Sequence, residues 1–153
     1  MNVVTDLHKD LLRKVLSPSP EIRHSAVCHT EAGEDVLLIG VEDEDPVVRL
    51  WSAKHRNATE RVLLVAIRDR YDSIRRAAAD NQSASESILL LAVADEDASV
   101  RISAVTNPVA TERVLVEAAK SRFSDIRYWS VRHENTTELV RTTLDRVRTE
   151  RIY

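Results

Sequence analysis

Apolar and small residues recur along this chain in rows that repeat every 26 positions. The clearest marker is an arginine that directly follows a β-branched residue. It occurs at Arg23, Arg49, Arg75, Arg101 and Arg127. A fixed period of this length is typical of an array of small supersecondary units, none of which can bury its apolar face alone. The pattern therefore predicts about five copies of one unit, between residues 17 and 147.

The second half of each copy has the pattern of a helix. In the second copy, Val62, Leu63 and Ala66 fall on one helical stripe. A glutamate stands eleven positions after each marker arginine: Glu34, Glu60, Glu86, Glu112 and Glu138. A hydroxyl residue such as Thr59 or Ser85 precedes four of these five glutamates. Because a hydroxyl can cap a helix and an acid favours the positive end of its dipole, we expect a capped helix to begin at each glutamate.

The first half of each copy predicts a shorter helix that carries the marker arginine. In the second copy, Asp45 and Pro46 provide an N-cap followed by proline, at a position where the missing N–H has no cost. One row of this helix contains only alanine and serine, which lets neighbouring helices approach closely. A polar run then predicts the turn to the second helix. Each copy is therefore expected to be a helix pair.

The two ends of the chain predict helical caps. Residues 1–16 predict an amphipathic helix with Thr5 as its N-cap. Its apolar side is formed by Leu7, Leu11, Leu12 and Val15. Residues 138–153 predict a longer helix that overlaps the last copy. We expect four of its residues to face inward: Leu139, Val140, Leu144 and Val147. Such atypical end units are common in repeat arrays, so residues 1–153 are expected to form one domain.

The consensus of the unit is Asp-x-x-Val-Arg, then Ala, then Asn, then Thr-Glu and a Leu-rich helix that ends in Ala. This consensus resembles the leucine-rich repeat variant family and, more loosely, HEAT repeats. The resemblance implies two short helices per unit, one of them partly 3₁₀, stacked into a right-handed superhelix. Family members can carry a cysteine-rich iron–sulfur segment, and this chain lacks those cysteines. We therefore expect an all-α, right-handed α-solenoid of about five 26-residue repeats, with no cofactor.

Composition limits the class of protein. The chain has 153 residues, of which 43% are apolar and 31% charged, and its formal net charge is −3. No apolar run approaches the roughly 20 residues that a membrane helix needs, and no signal sequence is evident. The lone Cys28 excludes an internal disulfide and a multi-cysteine metal site. These features predict a monomeric protein of the cytoplasm that does not enter a membrane.

A row of acids accompanies the marker arginines. Asp43, Asp69 and Asp95 each stand six positions before an arginine, and Ser17 and Ser121 replace them in the other two copies. Acids and arginines that repeat together indicate a ladder of charge-assisted hydrogen bonds between neighbouring units. A phosphate-binding row of arginines is the alternative. The structural ladder is favoured because constant positions of a repeat usually maintain its stacking.

No motif for catalysis or metal binding stands out. His29, His55 and His133 share one turn position, which is occupied by Asn81 and Asn107 in the other copies. Because asparagine favours turns, this exchange indicates a turn role rather than a metal site. We find no nucleophile–base pair, glycine-rich phosphate loop or paired-acid motif. A non-catalytic protein is therefore expected.

The variable outer positions of the second helices are the first candidate binding surface. They are basic in the second and fourth copies and nearly uncharged in the third. The candidate residues are Arg61, Arg68, Leu91, Arg113, Glu117, Lys120 and Arg146. Repeat arrays use such surfaces to hold other proteins, so we predict a scaffold that binds a protein or peptide. The alternative is a nucleic-acid-binding module that uses the basic row, although a pI near 6.0 disfavours it.

Two tryptophans on the first helices are the second candidate surface. Trp51 and Trp129 share a row in which the other copies carry serine or alanine. A closely packed row would not accept both sizes, so we expect this row to be at least partly exposed. Exposed tryptophans often anchor interfaces. Each indole could instead cover the aliphatic surface of its own repeat.

Overall fold

The computed structural model describes residues 3–150. Over this range the chain forms eleven α-helices and no strand, which confirms the predicted all-α fold. The helices are α1 (Val3–Val15), α2 (Pro20–Val27), α3 (Glu34–Val41), α4 (Pro46–Lys54), α5 (Glu60–Ala66), α6 (Asp72–Asp80), α7 (Glu86–Val93), α8 (Ala98–Thr106), α9 (Glu112–Lys120), α10 (Ser124–Ser130) and α11 (Glu138–Glu150). Residues 151–153 of the expected C-terminal cap lie outside the described residues.

The helices pack in sequence order into two layers, as expected for an α-helical repeat array. The first helices of the repeats form one layer, in which α2, α4, α6, α8 and α10 each contact the next. The other layer contains α1, the second helices α3, α5, α7 and α9, and the final helix α11. Here α3 contacts both α1 and α5, and α9 contacts both α7 and α11. Each repeat thus contributes one helix to each layer.

The predicted starts of the second helices agree with the structure better than the predicted N-caps do. All five second helices begin at the predicted glutamates. The expected capping is wrong for Thr59 and Ser85, whose side chains accept no hydrogen bond from the helix that follows. Thr111 does accept one, from the backbone N–H of Val114 at 3.4 Å. The expected cap at Thr5 is also wrong, because α1 already begins at Val3.

The first helices of two repeats have strong aspartate caps. Asp45 Oδ1 accepts from the backbone N–H of Val47 at 2.7 Å, and Pro46 opens α4 as predicted. Asp97 Oδ1 accepts from the backbone N–H of Ser99 at 2.8 Å. These carboxylates satisfy backbone donors that the first turn leaves unpaired.

One aliphatic core runs through the array from Leu11 to Leu144. We expected Leu139 to face this core, but its side chain is exposed, whereas its neighbour Val140 is buried. The β-branched row is buried in four copies, but Ile22 is 44% exposed because α2 is the first helix of its layer in the described chain. Burial of a repeated position therefore depends on having a preceding repeat.

Candidate functional site

The predicted binding residues lie in both layers rather than in one site. The charged candidates Arg61, Arg68, Arg113, Glu117, Lys120 and Arg146 are all exposed, on or just after the second helices and α11. Leu91 of α7 lies among them and is 44% exposed. Trp51 and Trp129 belong to α4 and α10 of the other layer, where they are 43% and 40% exposed. Two candidate surfaces therefore exist on this chain.

The marker arginines lie between the repeats and pair with carboxylates of the next copy. Arg49 Nε donates to Asp69 Oδ2 at 2.6 Å, and both side chains are buried. Arg75 makes the same bond to Asp95 at 2.8 Å. The hydrogen bond to Asp69 is the largest cause that raises the pKa of Arg49 above its ordinary value. These guanidinium groups are already engaged within the protein, so they are not presented for phosphate binding.

Each of these arginines also bonds to the chain segment before its own helix. Arg49 Nη1 donates to the carbonyl oxygens of Asp43 and Glu44, at 2.8 and 3.0 Å. The carboxylate of Asp43 in turn accepts from Arg23 of the preceding repeat at 2.7 Å. One aspartate thus connects two arginines, through its side chain on one side and its backbone on the other. The bonds form a continuous network along this edge of the array.

The arginine–aspartate ladder changes near the end of the array, because Ser121 stands where the earlier copies have Asp43, Asp69 and Asp95. Arg101 Nη2 donates instead to Asp125 Oδ2 at 2.7 Å, and its guanidinium lies 3.6 Å from the centroid of the Phe123 ring. Arg127 donates to the carbonyl oxygen of Ser121 at 2.8 Å. Asp125 stands two positions before the marker arginine of its own repeat. In the other copies no acid at this position pairs with a marker arginine, so the sequence pattern did not predict this partner.

A second network joins the turns on the opposite edge. Asn107 Nδ2 donates to the carbonyl oxygens of Ala79 and Asn81, at 2.8 and 3.0 Å. His55 occupies the same position, and its Nε2 lies 3.0 Å from the carbonyl oxygen of His29. Its Nδ1 accepts from the backbone N–H of Asn57 at 3.0 Å. Both ring nitrogens of His55 thus have backbone partners within the protein.

The hydroxyl–glutamate pairs form a third network between repeats. Thr59 Oγ1 donates to Glu34 Oε1 of the preceding repeat at 2.7 Å. Thr111 donates in the same way to Glu86. This bond is the largest cause that lowers the pKa of Glu86, with a smaller contribution from Arg113. The hydroxyl that the sequence suggested as a helix cap therefore connects neighbouring repeats.

Three of the five basic candidate residues on this layer lie close to an acid. Arg113 Nη1 lies 3.1 Å from Glu86 Oε1, and Lys120 Nζ lies 2.8 Å from Glu117 Oε1. Arg61 lies 3.5 Å from Glu34 in the same arrangement as Arg113. A surface on which cations and acids alternate attracts a phosphate backbone less than an unbalanced basic surface does.

A cleft of about 440 Å³ lies beside α7 and α9. Its apolar side is formed by Leu90, Val93 and Ala94, and its charged rim by Arg113, Glu117 and Lys120, with Ser121 at one end. We call these residues the α7–α9 cleft. The cleft contains three of the predicted binding residues, and Leu91 is the neighbour of one of its apolar residues. An apolar floor with a few charged groups at its edge is typical of a binding site.

The two tryptophans have different surroundings. Trp51 lies edge-on to His24 at 5.8 Å, and Lys54 Nζ is 5.5 Å from its ring centroid. Trp129 lies edge-on to Tyr128 at 5.4 Å. The row they share is not uniformly exposed, because its small members Ala77 and Ser103 are buried. The row is therefore partly exposed, as expected: both indoles and Ser25 are exposed, and the other two small residues are not.

The described part of the chain contains no group of three or more His, Cys, Asp and Glu side chains arranged to hold a metal ion. Among residues 3–150, no helix combines the length and apolar character needed to cross a membrane. The sequence matches no protein-family model, and comparison with curated proteins gives no significant match.

Proposed function

We propose that this protein is a non-catalytic α-helical scaffold that binds a segment of another protein at the α7–α9 cleft. The observation that carries the proposal is the combination of an apolar floor, a rim of both charge signs and the exposed Leu91. A peptide with a small apolar side chain and flanking charges fits this surface. Membership of the leucine-rich repeat variant or HEAT-like families, a monomeric state and a cytoplasmic location stay predictions from the sequence.

The charge balance favours a peptide over a nucleic acid. Arg113 and Lys120 each lie within ion-pair distance of a glutamate, and the chain carries a net charge of −3. Backbone binding by nucleic-acid proteins depends on unbalanced Lys and Arg charge. A peptide of mixed charge can instead exchange its own ion pairs with those at the rim.

The test is selection from a displayed random-peptide library on the wild-type protein, followed by affinity measurements on variants. The substitutions come from the same rows of other repeats, so the scaffold already tolerates these residue types. Leu91→Glu copies the fourth repeat, where Glu117 stands in this row, and Ala94→Arg copies the second, where Arg68 stands. Val65→Glu, in the Leu91 row of the second repeat, is the matched control.

Selected peptides are expected to bind Leu91→Glu and Ala94→Arg about tenfold or more weakly than wild type, since each change removes or fills apolar contact area. Val65→Glu is expected to bind them normally. Equal affinity for all four proteins would place the binding surface elsewhere. The nucleic-acid alternative is tested separately, by titrating labelled DNA and RNA at low and at physiological salt. Strongly salt-dependent binding there, without peptide enrichment, would favour the nucleic-acid alternative.

A further inference from the structure

A second, smaller pocket lies on the other layer of the array, beside Trp51. It has a volume of about 240 Å³ and is lined by Val27, Cys28, Trp51, Lys54 and Arg56, together with Thr30 and His55. Val27 is buried, and the indole of Trp51 is 43% exposed. We call this site the Trp51 pocket. Its volume is below the roughly 300–1,000 Å³ of pockets for drug-sized ligands, so it can hold about one ring system.

The lining of the Trp51 pocket contains two cations and no acid. Four further clefts on the described residues each include an aspartate or glutamate in their lining, and this one includes none. Within residues 3–150, the Lys54 ammonium contacts the Trp51 ring and forms no ion pair. Arg56 is exposed and has no ion pair or hydrogen bond to any described residue. Asp80, which lines the adjoining cleft with these two cations, pairs with Arg76 at 3.6 Å.

These features define one class of ligand. An exposed indole offers a face or edge for another planar ring. The ammonium and guanidinium at the mouth offer donors to a carboxylate or phosphate, and the guanidinium can bind either group with two parallel hydrogen bonds. We propose that the Trp51 pocket binds a small planar aromatic molecule that carries an anionic group. This site is separate from the α7–α9 cleft, so either proposal can fail alone.

The fifth repeat provides a comparison within the same protein. Trp129 occupies the row of Trp51, but the residue equivalent to Arg56 is Glu134. The residue equivalent to Lys54 is Arg132, whose guanidinium lies 3.6 Å from the Tyr128 ring centroid and donates to the carbonyl oxygen of Tyr128. An exposed indole is thus present without a free pair of cations. The proposal requires that Trp129 not respond to the ligand.

The test follows the two indole N–H signals by two-dimensional NMR on the full chain, with Trp51→Phe used for assignment. Indole-3-acetate and adenosine monophosphate are the aromatic anions, and they distinguish a carboxylate from a phosphate as the charged group. Neutral indole and inorganic phosphate test the ring and the charge separately. Saturable shifts of the Trp51 signal are expected with at least one aromatic anion, about tenfold tighter than with either control, because ring and anion contacts add in one molecule.

Three variants test the cations. Arg56→Gln copies the third repeat, where Gln82 stands, and Lys54→Asp copies Asp80 of the same repeat. Both are expected to weaken the aromatic anion about tenfold and to leave neutral indole unchanged. Arg132→Gln, beside Trp129, is the matched control and is expected to have no effect. The two pocket variants replace exposed residues with residue types that other repeats carry at the same positions, so both are expected to fold. If one of them does not fold, the other still tests the role of the cations.

Cys28 gives a second measurement at the same place, since it is the only cysteine and lines the pocket. Cys28 is exposed, so its alkylation can be followed, and partial desolvation raises the pKa of its thiol. A bound aromatic anion is expected to slow alkylation by iodoacetamide further. The proposal is overturned if neither aromatic anion shifts Trp51, if indole alone binds as tightly, if both tryptophans shift alike, or if the cation variants bind normally.

Discussion

Arg101 is paired with Asp125, at 2.7 Å, rather than with the residue twenty positions further along the chain. The three preceding marker arginines each pair with an aspartate at that spacing. For Arg101 the corresponding residue is Ser121, and the Nε of Arg101 is buried without a hydrogen-bond partner. One donor of a buried guanidinium is therefore left unsatisfied, which lowers stability.

Ser121→Asp is expected to stabilise the protein by about 0.5–1.5 kcal/mol, because the new carboxylate can accept from Arg101 Nε. Denaturant unfolding measures the change. The gain should be larger when Asp125 is also replaced by asparagine, since two nearby acids then no longer repel each other. Ser17→Asp is the control, because no marker arginine of the described residues lies in a repeat before Ser17. A gain from Ser17→Asp equal to that from Ser121→Asp would rule out the ladder as the cause.

Arg75→Ala is expected to cost about 1–3 kcal/mol of unfolding free energy, because it leaves Asp95 Oδ2 and two backbone carbonyls without the donors that Arg75 provides. Arg61→Ala removes an exposed guanidinium 3.5 Å from Glu34. We expect that change to stay within about 0.5 kcal/mol. Thermal and denaturant unfolding of both variants measure the two losses of stability. Equal stability would mean that the inter-repeat ion pairs contribute nothing.

The cap of α8 predicts a dependence of stability on pH. The pKa of Asp97 lies below the ordinary value of 3.8, and the hydrogen bond from the Ser99 hydroxyl is the largest cause. The folded state therefore favours the ionised carboxylate, so this contribution is present above pH 3.8 and is lost as pH falls through the lowered folded pKa.

Asp97→Asn keeps a capping oxygen but removes the charge. We expect it to be less stable than wild type near neutral pH, with the difference disappearing in acid. Urea unfolding at a series of pH values measures this. Ser99→Ala should weaken the pH dependence, since it removes the main cause of the shift. A difference between wild type and Asp97→Asn that is constant across the series would contradict the assignment.

Gly40 lies at a close approach between α3 and its neighbours. A Cβ added there would lie 2.3 Å from Ser52 Oγ and 2.5 Å from Val27 Cγ1. Gly40→Ala is therefore expected to destabilise the protein by about 1–3 kcal/mol through overpacking. Gly33→Ala is the control, because its Cβ would meet only the Asp35 carboxylate at 3.1 Å and His8 at 3.9 Å. Unfolding free energies that fall equally for both variants would contradict this account.

The sequence rows alone do not reveal this restriction at Gly40. The same row is alanine in the next three copies: Ala66, Ala92 and Ala118. In the fourth copy, Ala118 is accommodated although the rows of Ser52 and Val27 carry Ser130 and Val105 there. The same three kinds of side chain would therefore clash in the first copy and fit in the fourth. Helix separation, rather than residue type, decides the outcome.

The fold was predictable from the sequence because its causes are local and repeated. A 26-residue period, helical spacing of apolar residues and a glutamate at each helix start all depend on residues close together in the chain. The exposed positions of the second helices followed from the same spacing. The α7–α9 cleft and the Trp51 pocket did not, because each combines residues of neighbouring repeats.

The sequence by itself determined the number of repeats, the helix pair in each and most of the residues that face the core, Leu139 being an exception. The repeated acids and arginines also indicated the ladder between repeats, whereas tertiary structure alone decided two other pairs: Thr59 with Glu34 rather than with its own helix, and Arg101 with Asp125. It also left Ile22 exposed. The physical reason is that helical periodicity sets the direction of a side chain, whereas its partner depends on how closely two repeats pack.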